Sequence, residues 1–526
     1  MKLIDTIAAR RWLAVLIVGL LAFSGSVTIG LIGGIAVPKE HDEFSYLLAA
    51  DTFRQGRLTN PTHPMWIHFE SIHIIHQPTY MAKYPPGPGA MLALGQLLSG
   101  YPIVGVWLSM GLMGAAICWM LQAWVPPRWA LIGGLFSLLH PIVGIGADWA
   151  QGYWRGALAA AGGALVLGAC RYLLKQPSVL RAVLMGVGLT ILANTRPYEG
   201  LLVGIGAGVT LVLGFLRQRD FALRVLIKKV VLPLVVTCAL SAAWMAYYNF
   251  CVTGNIFRLP YQVHETAYGV APLFVWQEPT SVPVYRHPRL DKLHTSHELA
   301  IYRAKHSLTG FAADNADALL MYAFFVGNIF LVPFVINLRP WLRWLLRNRW
   351  TKSAVAIYFF VTVGLMAETY YYLHYWAPVL ALNYYFTVQA LRIWCRRDRR
   401  LRPYIVPVML ALVAMLMLIV ARQRIKEQDN PLSAASQRAA LMARWQQQPG
   451  KQLVLIRYDA EANDLFEWVY NDADIDNAKV VWARAMEPSA NCKLADYFKD
   501  HEIWSLTVGA ENKPVEVNPF PRQACQ

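Results

Sequence analysis

Apolar residues fall along this chain in eleven runs, at about 12–37, 101–124, 129–147, 156–174, 179–195, 199–216, 230–249, 319–338, 353–370, 375–391 and 404–421. A helix needs roughly 20 apolar residues to cross a bilayer. The pattern therefore predicts an all-α polytopic membrane protein of about eleven transmembrane helices. The first run follows Lys2, Arg10 and Arg11, as a signal peptide would. It is too long for one and lacks a small-residue cleavage site, so it reads as a retained span.

Three polar segments interrupt the runs. In 38–100, residues 43–57 carry Phe44, Leu47, Leu48 and Phe53 at helical spacing. Residues 90–98 are apolar but too short to span, which predicts an interfacial or re-entrant helix. Segment 250–318 holds short helical patterns, notably 296–308, and suits a cap over one membrane face. In 422–526 the pattern changes. Gln452–Tyr458, Lys479–Arg484 and Ile503–Val508 read as strands and 492–501 as a helix, a small soluble α/β domain. The expected division is a membrane domain over 1–421, with outer loops 38–100 and 250–318, and a C-terminal domain over 422–526.

Charge fixes the orientation. The formal net charge is +16, but the basic residues sit in short clusters between runs, which argues for bilayer orientation and against a nucleic-acid partner. With the N-terminus in the cytoplasm, the inside connections hold Arg171, Lys175 and Arg181; Arg217 through Lys229; Arg339 through Lys352; and Arg392 through Arg402. The short outside connections hold little beyond Arg155 and Arg196. Cytoplasmic loops carry the excess of Lys and Arg, so all three polar segments fall outside. The expected location is a bacterial inner membrane, multi-pass, with a periplasmic C-terminus. Of seven cysteines none forms a CxxC pair. Only Cys492 and Cys525 share a polar region, where an oxidising compartment permits a disulfide.

The chemistry-bearing stretch is His41-Asp42-Glu43-Phe44-Ser45-Tyr46, directly after the first span. Two carboxylates at a span mouth are costly beside lipid. Their structural use would be a helix N-terminus, which favours negative charge; their chemical use is a general base for an acceptor hydroxyl or amine. Adjacent helical residues point about 100° apart, so one role each is expected: Asp42 as base, Glu43 orienting a partner or substrate.

This pair, the helix Tyr46-Leu47-Leu48-Ala49-Ala50, and Lys83-Tyr84-Pro85-Pro86-Gly87 before the second span resemble the GT-C glycosyltransferases. Within that class the chain is similar to the branch holding the protein O-mannosyltransferases and the aminoarabinose lipid A transferase. It departs by placing Tyr84 after the lysine, and Gly and Pro where the branch often has Leu. The resemblance covers about residues 10–420. It implies a polyprenyl-phosphate sugar donor, an envelope acceptor (lipid, glycan or protein), and transfer on the outer face with inversion. A donor phosphate demands fixed cations: Arg196 first, in Asn194-Thr195-Arg196-Pro197-Tyr198-Glu199-Gly200, then Arg155, with Lys83 and Arg258 of the same kind. The alternative for the arginines is snorkelling to headgroups, and Glu199 is placed either to neutralise Arg196 or to meet substrate.

Further substrate-binding candidates are Tyr84, Asp148, Tyr198, Glu368 and His374. The last two flank an aromatic run, Tyr370 through Trp376, which reads either as an interfacial belt or as faces for a sugar. The residues point to no definite cofactor; a divalent metal on His73, His76 and Glu70, or on His287, His294, His297 and His306 of the second loop, is a candidate by spacing alone. Two other classes compete: a flippase or transporter of lipid-linked sugar, which has no need of Asp42, and a glycan polymerase or ligase, which would want more outer-face arginines.

Overall fold

The computed structural model describes residues 2–218, 221–428, 430–463 and 467–525. Each apolar run contains helix. Among the described residues six helices are long and apolar enough to cross a membrane: Arg11–Gly33, Ile103–Trp124, Gly156–Lys175, Pro197–Gln218, Leu223–Thr253 and Arg402–Gln428. Shorter ones, Pro127–Leu139, Val179–Ala193, Arg349–Met366 and Leu380–Arg397, occupy four of the other runs, and 319–338 is divided among several short pieces.

Three runs break, two of them at a proline. The run at 129–147 leaves the helix at Leu139, because a residue before proline is pushed out of the helical region and His140 precedes Pro141. His140 Nδ1 then accepts from the Ile142 N–H at 3.1 Å, closing the turn. The run at 319–338 loosens into wider and tighter turns before Val332–Ile336, and the next helix, Leu338–Arg347, leaves at 84°. The run at 375–391 opens on a 3-10 turn around Pro378. The expected span at 129–147 is thus half helix and half an irregular stretch, 140–155, which delivers Arg155.

The centre of the bundle is built from small residues. In Gly156–Lys175, glycine and alanine predominate and nearly every residue is buried. A Cβ on Gly163 would lie 1.8 Å from the Pro378 carbonyl oxygen, so only glycine permits that crossing.

Above one end of the bundle sits the 38–100 segment. Helix His41–Arg54 starts two residues earlier than its pattern predicted, placing Asp42 and Glu43 in the first turn. Three short antiparallel strands follow, β1 (Asn60–Pro61), β2 (Ile74–Ile75) and β3 (Thr79–Ala82), in the order β1-β3-β2. The apolar 90–98 stretch lies in helix Gly87–Ser99. Its first N–H, on Gly87, donates to the Asn194 carbonyl at 2.8 Å, tying this layer to the turn that carries Arg196.

The C-terminal domain has one sheet, in the order β5-β4-β6-β7: β4 (Lys451–Tyr458), β5 (Val480–Arg484), β6 (His501–Val508) and β7 (Pro514–Pro519). β4 pairs parallel with both neighbours and β7 closes the edge antiparallel. Parallel strands covered on both faces read as continuous apolar runs. Val454 and Ile456 pack with Trp445, Trp468 and Trp482. Leu453 and Leu455 face the other way, in one cluster with Leu48, Phe69, Ile74 and Tyr80 of the first loop. The domain is therefore seated on the helix that carries Asp42. Cys492 and Cys525 are joined by a disulfide.

Candidate active site

A cavity of about 540 Å³ opens between the bundle end and the polar segments 38–100 and 250–318. Asp42 lines it, and Glu43 does not. Asp42 accepts a hydrogen bond from the Tyr84 hydroxyl at 2.5 Å, with Arg155 Nη2 at 3.8 Å and His73 Nε2 at 3.5 Å. Burial and the Asp42 carboxylate hold the Tyr84 phenol well above its ordinary range, so it stays a donor.

Glu43 turns into the protein, where its carboxylate accepts from the N–H groups of Lys39 at 2.6 Å, Glu40 at 3.0 Å and Tyr153 at 2.8 Å. The expectation of a catalytic or substrate-orienting Glu43 is thereby corrected. Every one of those bonds goes to backbone, capping the helix and fixing the strand of chain that presents Arg155 two residues on.

Arg196 and Glu199 lie at the start of helix Pro197–Gln218 and bond each other, Nη1 to Oε1 at 2.8 Å. Arg196 also lies over the Tyr375 ring, 4.1 Å from its centroid. Its Nε and Nη2 are buried without a hydrogen-bond partner, and Arg155 Nε is in the same condition. Buried donors left unpaired are costly, and both residues line the cavity. Lys83 lines it too, 3.4 Å from Glu265 and within cation–π distance of Tyr84 and Tyr261.

Glu368, Tyr198 and His374 complete that wall. Tyr198 donates to the Gly364 carbonyl at 2.9 Å. Burial, with Glu199 beside it, pushes the Glu368 carboxyl up to about 9 against the pull of Arg196 and Lys305. It is thus a neutral acid at pH 7, and its Oε1 is unpartnered. Burial, reinforced by Arg196 and Arg155, holds the His374 imidazole well below its ordinary range.

Several expected residues lie elsewhere. Arg258 is exposed and outside the cavity, because helix Leu223–Thr253 has ended and the chain loops through Gly254 before re-entering at Leu259. Asp148 is also outside; it pairs with Arg424 of helix Arg402–Gln428. The proposed metal set does not converge. His73 faces Asp42, Glu70 binds the Tyr268 hydroxyl at 2.8 Å and His287 at 3.3 Å, and His76 packs between Trp66 and Tyr80. Among the described residues no group of three or more His, Cys, Asp or Glu is placed to hold a metal ion.

Residues not singled out from the pattern also reach the cavity: Tyr261 and Glu265 from helix Pro260–Tyr268, then Glu298, and Asn463 of the C-terminal domain; His297, a candidate metal ligand by sequence, lines it as well. Burial raises the Glu265 carboxyl, but Lys83 and His264 beside it bring it down to about 2. The signal for this helix was present in His264-Glu265, two polar residues on one short amphipathic stretch.

No family model matches the chain, and no curated protein matches it. Among solved structures it resembles ArnT from Cupriavidus metallidurans in the apo state, with a TM-score of 0.55 at 15% identity over 93% of this chain and 92% of that one. The same protein bound to undecaprenyl phosphate gives 0.52 at 14% over the same shares. The oligosaccharyltransferase of Archaeoglobus fulgidus, in complex with zinc and sulfate, gives 0.50 at 10%, covering 93% of this chain and 67% of the other. The chain has the GT-C fold. At these identities the likeness is one of architecture: a mostly helical bundle with apolar helices and a strand-containing C-terminal domain, as the motifs around Asp42 and Lys83 led one to expect. The site must be argued from its own residues.

Proposed function

We propose that this protein is a membrane glycosyltransferase that moves a sugar from a polyprenyl-phosphate donor to an envelope acceptor on the periplasmic face, with inversion. The observation that carries the reading is one cavity with a carboxylate, Asp42, on one wall and unpartnered arginine donors, on Arg196 and Arg155, beside it. Undecaprenyl phosphate bound to a protein of the same fold supports the donor class.

The step is a single displacement. The acceptor O–H or N–H gives its proton to Asp42 as its heteroatom bonds the sugar's anomeric carbon. The bond from that carbon to the phosphate oxygen breaks, and the electron pair leaves on polyprenyl phosphate. Arg196, aided by Arg155 and Lys83, meets the charge that develops there, which fixed donors in a dry site do best. Tyr84 aims the Asp42 carboxylate, and Glu43 holds the backbone that aims Arg155. Glu368, as a neutral acid, gives the phosphate a donor without adding negative charge. Tyr375 and Tyr372 offer ring faces to the sugar.

The test is product analysis with purified protein in liposomes given a labelled polyprenyl-phosphate sugar and an envelope lipid or glycan fraction. Free polyprenyl phosphate and an inverted glycosidic bond on the acceptor are expected. Movement of intact donor across the bilayer without cleavage would establish the flippase instead.

A further inference from the structure

Helix Pro197–Gln218 starts beside Arg196, and helix Arg349–Met366 ends two residues before Glu368, so both reach the cavity at one end. Toward their other ends they part around a second groove, of about 310 Å³. Its walls are Ile205, Val209, Leu213, Ile357 and Phe360, with Gly206 packed close against Ile357. Its cations are confined to the far end, Arg217 closing one helix and Arg349 opening the other. Both are exposed, and among the described residues neither is held in a salt bridge.

A separate element marks the same level. Helix Leu338–Arg347 turns 84° away from the helix before it and runs into Arg349 almost at once. Its spacing puts Arg339, Arg343 and Arg347 on one face, while Leu338, Leu342 and Leu346 stand exposed on the adjacent one. A helix of that pattern lies in a membrane interface, apolar side toward acyl chains and cations toward headgroups. Arg217 and Arg349 therefore sit at headgroup depth.

We propose that the groove between helices Pro197–Gln218 and Arg349–Met366 is a binding site for an anionic phospholipid of the leaflet opposite the cavity. Its phosphate lies between Arg217 and Arg349, and an acyl chain runs along Val209, Ile357 and Phe360. Basic pockets between spans on the cytoplasmic side take such headgroups. A polyprenyl tail, the other occupant an apolar groove would admit, carries no charge at this depth and gives the two arginines nothing to bind. The assignment is independent of the reaction at the cavity.

Native mass spectrometry of the purified protein with added phosphatidylglycerol or phosphatidylcholine tests it. Retained phosphatidylglycerol over phosphatidylcholine is expected in the wild type. The variant R217A/R349A should lose affinity by about fivefold for each arginine removed, while R217K/R349K keeps most of it. Ala356→Trp, which fills the groove and touches no charge, should lower phosphatidylglycerol retention as well. Binding of polyprenyl phosphate at the cavity, unchanged in all three variants, shows that they are folded. Equal retention of the two phospholipids, undiminished phosphatidylglycerol in R217A/R349A, or a tail-labelled polyprenyl phosphate that crosslinks to Val209 or Ile357 in place of phospholipid would overturn the proposal.

Discussion

Asp42 and Glu43 are neighbours with opposite fates, and the reason is helical geometry. One turns to the cavity and keeps an open side; the other turns inward and spends its oxygens on three backbone N–H groups. Glu43→Gln puts an amide N–H₂ against backbone donors, which should destabilise the fold by about 1–3 kcal/mol. Thermal unfolding checks this, and an unshifted midpoint would return Glu43 to the list of chemical groups. Arg196 makes a different prediction. Removing it leaves a donor phosphate short of its charge partner, so Arg196→Ala should cost about 2–5 kcal/mol of polyprenyl-phosphate affinity. Titration calorimetry with a short-chain analogue measures it; unchanged affinity would assign Arg196 to its bond with Glu199 alone. Glu368 carries a pH signature. Its carboxyl is raised to about 9 in the folded protein, so it favours the folded state fully below about 4.5. That contribution shrinks as pH rises and is gone above about 9. Donor affinity should fall over the alkaline part of that range, and Glu368→Gln, neutral throughout, should flatten the fall.

At the level of elements, periodicity and proline explain most of what could be read from the chain. The apolar runs located the helices, and strands β4 and β5 stood out because parallel strands buried on both faces are apolar almost throughout, while β6 showed apolar positions at Ile503, Leu506 and Val508 among polar ones. Strands β1 to β3 are two to four residues long and β7 is largely exposed, so neither carried a pattern. The break at His140-Pro141 was visible only as a proline inside an apolar run. It converts half a span into the loop that delivers Arg155 and carries Asp148 away to Arg424. Gly163 tests the packing that results. Its added methyl would meet the Pro378 backbone, which cannot swing aside as a side chain can. Gly163→Ala should therefore destabilise by about 1–3 kcal/mol and disturb the turn holding His374. A normal unfolding temperature and normal activity would show that the two elements can separate freely.

For the whole molecule, the cavity is where sequence order stops being a guide. Its walls come from within residues 40–42, 72–73, 83–86, 154–155, 195–199, 245–249, 259–273, 293–301 and 368–375, with Asn463 from the C-terminal domain. Asp42, Lys83 and Arg196 were legible because charge is conspicuous beside apolar spans. Tyr261 and Glu265 were not, because only folding brings their loop over Lys83. The domain's seat on the Asp42 helix was equally hidden; it depends on Phe44 stacking on Tyr470 at 4.2 Å and on Arg484 donating to the Glu70 carbonyl at 2.7 Å. The central claim is that this assembly transfers a sugar with Asp42 taking the acceptor's proton. The direct measurement is single-turnover transfer from a polyprenyl-phosphate sugar by Asp42→Asn, with donor binding followed in parallel. The amide keeps the carboxylate's shape, so donor affinity should stay near wild type while the transfer rate falls by about 10²–10⁴-fold. Transfer at the wild-type rate with donor bound would contradict the account.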